Sequence, residues 1–239
     1  MTDEYMSKWP KYIPPLTPEQ RHIANDFMKR WHEHIPGKYQ MLERFNHGYP
    51  MKHGDAFVST LEIGAGIGGQ LDYESDQLSQ VQKCNYVAVE MLDGMADVIK
   101  ARHPEVYVLV GDCQQRLPLY QERFDRIMAI HVLEHLPNLP ECIKEMRRVI
   151  KPTGTFYVVI PCEGGVLYRM ARDVSSRRMF EKLYGQSYDW FIEREHINKP
   201  KEIMEELDPY FTVQDCTFFP FRVQSVDLNL CIGLKLKPL

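Results

Sequence analysis

Leu61-Glu62-Ile63-Gly64-Ala65-Gly66-Ile67-Gly68-Gly69 is the stretch whose reading decides the fold. Its start closes a short apolar run over 57–63, which reads as a buried strand. Its end is a turn in which Gly64, Gly66 and Gly68 allow a tight bend and offer bare backbone to a ligand. The pattern alone is shared: Gly64, Gly66 and Gly69 satisfy G-x-G-x-x-G, the dinucleotide fingerprint, and a turn with no ligand can carry the same glycines.

Towards the C-terminus the apolar runs recur at 85–90, 106–110, 124–130 and 155–160, with helical patterns over 93–102 and 140–149 and a break at Lys151-Pro152-Thr153-Gly154. Strands alternating with helices of this length predict a parallel sheet covered on both faces. Runs at 211–219 and 227–235, joined through 221–225, predict an antiparallel hairpin at the sheet edge. The expectation is therefore an α/β fold with seven strands, the last antiparallel. Residues 163–208 break the rhythm, being helical in composition and dense in Arg, Tyr and Glu, and read as a helical cap.

Towards the N-terminus, 1–16 reads as an extended arm. Thr17-Pro18-Glu19-Gln20 starts a helix, with a capping Thr, Pro at the first position and Gln at the third. The helix is expected to run to about His34 and stop at Ile35-Pro36-Gly37, with a second piece at 38–45 and Asn46-His47-Gly48-Tyr49-Pro50 as loop. This divides the chain into an arm with helices, 1–50, and a main domain, 51–239, carrying the cap.

Glu90 closes the second strand, about 20 residues after the glycine turn, where a doubly wound fold places a carboxylate to accept hydrogen bonds from a ribose diol. NAD enzymes share this feature, so a nucleoside ligand is indicated without a choice of cofactor.

Three further blocks narrow the field. Val110-Gly111-Asp112-Cys113 ends the third strand with an acid. Phe124-Asp125-Arg126-Ile127 leads to His131-Val132-Leu133-Glu134-His135, and Arg148-Val149-Ile150-Lys151-Pro152-Thr153-Gly154 precedes the fifth strand. With the glycine turn and Glu90, these five blocks resemble, in order and spacing over about 57–160, the class I S-adenosylmethionine-dependent methyltransferases of the small-molecule type. Thr153 stands where that family usually has Gly.

The resemblance implies a Rossmann-like sheet and S-adenosyl-L-methionine as cofactor, with S-adenosyl-L-homocysteine as product. Glu62 and the backbone of Gly64, Ala65, Gly66 and Gly68 would hold the methionine end. Glu90 would bind the ribose, Met91 would lie along the adenine, Asp112 would accept from its amino group and Cys113 would stand beside the ring. Ile130 and His131 would flank the sulfonium.

Methyl transfer from a sulfonium is an in-line displacement from an activated donor, so alignment and exclusion of water are the main needs. A protonated oxygen or nitrogen acceptor also needs a base. His131, at the carboxyl edge of the fourth strand, and His196, in Glu195-His196-Ile197-Asn198, are the candidates, while Glu134 and His135 read as loop and helix structure. No metal constellation stands out, and none is expected. The cap supplies the candidates for substrate binding: Glu163, Tyr168, Arg169, Arg172, Arg177 and Arg178. These arginines either face solvent or offer planar forks to an anionic or sugar-like acceptor. The first helix, with His32, His34, Lys38 and Tyr39, is expected to close the pocket from above.

The formal net charge of -4 shows no overall basicity, so nucleic acid is not an expected partner. The N-P-P-Y type tetrapeptide of amino-methylating nucleic-acid enzymes is absent, and His131-Val132-Leu133-Glu134 stands in its place. No run approaches the roughly 20 apolar residues that span a bilayer, and 1–12 has no apolar core of a signal peptide. Six scattered cysteines without a C-x-x-C pair suit a reducing compartment, so a cytoplasmic location is expected. The alternatives left open are a methyltransferase acting on protein or nucleic acid, an NAD oxidoreductase, and a cofactor-binding domain without chemistry.

Overall fold

The computed structural model describes residues 8–38 and 40–239, with backbone only for 31–38. Two helices come first, α1 (Pro18–Lys38) and α2 (Gln40–Lys52). The alternating region follows as β1 (Thr60–Ile63), α3 (Gly69–Glu74), α4 (Gln80–Cys84), β2 (Tyr86–Glu90), α5 (Asp93–Arg102), β3 (Tyr107–Val110), β4 (Phe124–Ile130), α6 (Leu139–Val149) and β5 (Ile150–Pro161). Four helices come next: α7 (Val166–Arg172), α8 (Arg178–Tyr184), α9 (Asp189–Glu195) and α10 (Pro200–Leu207). A π-helical turn, Asp173–Arg177, joins α7 to α8. The chain ends in β6 (Phe211–Phe219) and β7 (Cys231–Pro238).

The seven strands form one sheet in the order β3-β2-β1-β4-β5-β7-β6. The first five pair in parallel, and β7 runs antiparallel to both β5 and β6. Strand β1 is interior, and the chain reverses direction across the sheet between β1 and β4, where an open α/β sheet places its ligand crevice. The strands are apolar runs because helices cover both faces: Leu61, Ile63, Ala88, Ile127, Met128 and Val158 are all fully buried. Amphipathic α6 lays Cys142, Ile143, Met146 and Val149 on one face of the sheet.

The seven-stranded sheet with an antiparallel last strand agrees with the expectation from the sequence, and the differences lie in the helices. The helix α1 continues past Ile35-Pro36-Gly37 to Lys38, since a proline removes only its own bond back to residue 32 and leaves the earlier turns intact. The stretch 46–50 is helix, not loop, with Pro50 inside α2. Tertiary packing holds it there. Tyr49 is buried and its hydroxyl donates to Asp215 at 2.8 Å. Its ring lies so close to β7 that a Cβ at Gly233 would sit 2.6 Å away.

The helices at 163–208 do not pack alone. Phe180, Tyr188, Phe191 and Ile192 form a small core with Ile23, Ala24 and Phe27 of α1. Phe27 meets Phe180 and Phe191 edge to face at 5.1 and 5.2 Å. The N-terminal helix thus shares its core with the later helical segment. His32, His34, Lys38 and Tyr39, expected to close the pocket, lie outside the described side chains.

Candidate active site

The glycine turn leaves β1 with positive φ at Gly64 (60°), Gly66 (56°) and Gly68 (88°), a conformation that residues with a Cβ adopt rarely. A Cβ at Gly64 would come within 2.5 Å of Val132, so the turn packs against the loop after β4. At Gly66 a Cβ would meet nothing within 4 Å, which leaves an open cradle over the backbone.

Glu90, at the end of β2, stands over this turn. Its carboxylate accepts from the Gly66 N–H and the Leu92 N–H, both at 2.9 Å. One bond per oxygen leaves lone pairs for a further donor pair. Beside it Met91 is 62% exposed and Leu92 51%, an apolar ledge at the strand ends. Gly111 follows β3 and bonds to the Glu90 carbonyl, which sets Asp112 next in line. One Asp112 oxygen accepts twice from Gln114. Cys113, next in the chain, is buried against Cys142 of α6, whose thiol is pushed well up by the Cys113 contact and by burial.

Glu62 lies beneath the turn, buried, and accepts from the Tyr86 hydroxyl at 2.7 Å. Burial lifts its carboxyl to about 7, against that hydrogen bond. Nearby, Arg126 grips Glu74 with two bonds of 2.8 and 2.7 Å, bonds Thr60 and stacks on Phe57. This buried pair spans β4 and α3, and nothing in the sequence reading singled it out.

At the end of β4, Ile130 is half-buried and His131 has a φ of 53°, a left-handed conformation uncommon outside glycine. Both His131 ring nitrogens are engaged: Nδ1 lies 3.1 Å from Glu134 and Nε2 lies 3.9 Å from the Cys231 thiol. Burial acts against its charge, but Cys231 and Glu134 outweigh it and hold His131 above the usual histidine range.

A cavity of about 390 Å³ opens here, walled by the loop after β4, by α1 and α2, and by α7 and α9. Tyr168, Arg172 and His196 line it, together with His131, Glu134 and His135. Arg172 donates to both oxygens of Glu163 at 2.7 and 2.9 Å, and His196 Nδ1 lies 2.9 Å from the same carboxylate. Burial opposes ionisation of Glu163, yet His196 and Arg172 hold its carboxyl below the ordinary value.

Four expected substrate residues are not in this wall, and Glu163 is one of them, reached only through Arg172 and His196. Arg169 and Arg178 are exposed. Arg177 spends its guanidinium on Asp173, Glu181 and Asp189. The i, i+4 spacing to Asp173 and Glu181 makes it a surface tie within its own helices.

Glu134 and His135, read from sequence as structural, are part of the cavity. Glu134 is 1% exposed, and its carboxyl is held at about 2 because His131, His135 and His196 outweigh the cost of burial. Burial, with His196 nearby, keeps His135 below the usual histidine range. Side-chain donor atoms of Glu134, His135 and His196 all lie within 4.8 Å of one another. The sequence signals were present as H-x-x-E-H and E-H-I-N, but their meeting is a tertiary fact. Asn198 makes it by donating to the carbonyls of Leu133 and Leu136, both at 2.8 Å, while the N–H groups of Ile197 and Asn198 bond to the Glu134 carbonyl.

Residues 61–158 match the family model described as a methyltransferase domain. A sterol 4-C-methyltransferase of Caenorhabditis elegans is 27% identical over 162 residues, covering 65% of this chain and 42% of that protein. The chain spans less than half the length of the curated relatives it matches. A Pyrococcus horikoshii protein shares the fold with a TM-score of 0.64 at 19% identity, over 86% of this chain and 94% of that one. So does geranyl diphosphate C-methyltransferase from Streptomyces coelicolor A3(2), solved with Mg2+, geranyl diphosphate and S-adenosyl-L-homocysteine, at a TM-score of 0.60 and 13% identity, over 94% and 100% of the two chains. The matched segment holds the glycine turn, Glu90, Asp112 and the β4 loop in one crevice, and over 61–158 the chain is similar to a methyltransferase domain.

Proposed function

We propose that this chain transfers a methyl group from S-adenosylmethionine to an oxygen or nitrogen of a small molecule held in the cavity between the β4 loop and the helical cap at 163–208. One observation carries the reading: the open cradle at Gly66 and the Glu90 carboxylate with spare lone pairs share the sheet crevice with the β4 loop, which also walls the cavity.

The residues present fit the cofactor. Glu90 would take the ribose hydroxyls, Asp112 the adenine amino group through its less occupied oxygen, and Met91 and Leu92 the face of the ring. Gly64, Ala65, Gly66 and Gly68 would supply bare backbone to the methionine part, with the Glu62 carboxyl beneath and Ile130 alongside. When bound, the cofactor supplies a methyl group already activated on a sulfonium.

The chain's own residues must align the acceptor and assist the loss of its proton. His131 has both ring nitrogens in contact, with Glu134 and Cys231, so it positions the loop and leaves activation of the acceptor to the Glu134–His135–His196 side. The wall is mixed, with Phe27, Phe191 and Ile192 beside Glu43, Glu134, Arg172 and Glu195. Among the described residues the one arginine in it, Arg172, is matched by Glu163. That favours a polar hydroxyl- or amine-bearing acceptor over the anionic one suggested by the arginine-rich sequence. The volume falls in the range of small-molecule sites.

Calorimetric titration with S-adenosylmethionine, S-adenosylhomocysteine and NAD tests the reading, followed by a screen for S-adenosylhomocysteine release over hydroxylated and amine metabolites. One-to-one binding of the first two ligands and none of NAD is the expected result. Binding of NAD alone would make the chain an oxidoreductase.

A further inference from the structure

We propose that Glu134, His135 and His196 bind one divalent first-row transition-metal cation in the wall of the cavity. Two imidazoles and one carboxylate, with donor atoms within 4.8 Å of one another, are a donor set suited to such ions. Around a tetrahedral ion with bonds of about 2.0–2.2 Å, donors stand roughly 3.4 Å apart, so the side chains need only draw together slightly.

Three independent features separate this group from an ordinary hydrogen-bonded cluster. The Glu134 Oε2 atom is buried and has no hydrogen-bond partner among the described residues, whereas buried carboxylate oxygens in a structural network are satisfied. Both histidines are oriented through Nδ1: His135 to the Glu195 carbonyl at 2.6 Å, and His196 to the Glu163 carboxylate at 2.9 Å. A carbonyl or carboxylate on one ring nitrogen is how metal-binding histidines are held, because it fixes the ring and leaves the other nitrogen to ligate. Finally, the backbone bonds from Ile197 and Asn198 to the Glu134 carbonyl clamp the two ligand segments together without using the ligand side chains.

All three residues line the cavity, so the positions left open on the cation face an incoming acceptor. Use of the ion in catalysis rests on the function proposed above; the site itself rests on the side-chain geometry. An acceptor hydroxyl bound to the cation would lose its proton to solvent more readily near neutral pH and keep lone pairs on oxygen. Its lone pair then forms the bond to the methyl carbon as the carbon–sulfur bond breaks, and that electron pair stays on sulfur.

The test is titration of the tag-free, chelator-stripped chain with Co2+, followed by visible absorption and then by Zn2+ displacement. One cobalt ion per chain is expected, with Glu163→Gln weakening binding about 10–100-fold and His196→Asn abolishing it in a chain with unchanged circular dichroism. Absence of saturable binding by the wild-type chain overturns the proposal, whatever the variants do. So does binding that survives Glu134→Gln and His196→Asn unchanged. S-adenosylhomocysteine titrated into the same stripped protein separates the two readings: its binding without cobalt binding leaves the methyltransferase and removes the metal, and the converse removes the methyltransferase alone.

Discussion

His135 of the β4 loop and His196 at the end of α9 meet edge to face, with ring centroids 5.1 Å apart. Neither ring creates the meeting. Asn198 does, with its side-chain amide divided between the Leu133 and Leu136 carbonyls. Asn198→Ala would leave both buried carbonyls without that donor, and the expected loss is about 2–4 kcal/mol of stability. Urea unfolding measures it; a loss under 0.5 kcal/mol would show that the clamp is held elsewhere.

Glu90 ties the glycine turn and is proposed to hold the ribose. Glu90→Ala is expected to weaken S-adenosylhomocysteine binding by about 1–3 kcal/mol. Calorimetry on the folded variant decides, and unchanged affinity would take Glu90 out of the site.

Glu62 links cofactor binding to pH. Burial raises its carboxyl to about 7 against the Tyr86 hydrogen bond, with Glu74 raising it further and His47 and Arg126 opposing. The folded chain therefore holds this proton more tightly than the unfolded chain, and the ligand-free protein should lose stability as pH climbs from about 4.5 to about 7. A cofactor ammonium favours the ionised carboxyl, so binding below pH 7 should release a proton and affinity should rise with pH up to that point. Calorimetry in two buffers of different ionisation enthalpy reads the proton directly; zero release at pH 6 would place Glu62 away from the ammonium.

The Arg126–Glu74 pair is almost fully buried, at 2% and 1% exposure. Removing one partner strands the other charge, so Arg126→Met and Glu74→Gln should each cost about 3–5 kcal/mol. Replacing both with apolar residues should cost much less than the sum. Additive losses in a double-mutant cycle would refute the coupling.

Arg172 and Arg178 make a contrasting pair, one in the cavity wall and one exposed. Once an acceptor is found, Arg172→Ala should raise its KM several-fold with cofactor affinity nearly intact, while Arg178→Ala should change neither. Equal losses of both affinities in Arg172→Ala would mean that the Glu163 pair supports only the fold.

The order of local patterns determined most of what defines the family. Buried runs of the right length, glycines where φ must be positive, and an acid closing β2 are constraints within a few residues, so they can be read one segment at a time. The strand set and the antiparallel β7 follow from them. Tertiary structure decided everything that required segments far apart in sequence to meet. Pro50 stays helical because Tyr49 finds Gly233 and Asp215 across the chain. Cys113 faces Cys142 because α6 covers that face of the sheet. Among similar arginines, Arg172 turns to Glu163 in the cavity wall and Arg177 to its own helical neighbours, a choice composition does not contain. Glu134, His135 and His196 come together because Asn198 stitches α9's exit to the β4 loop, and hydrogen bonds of that range leave no period in the sequence.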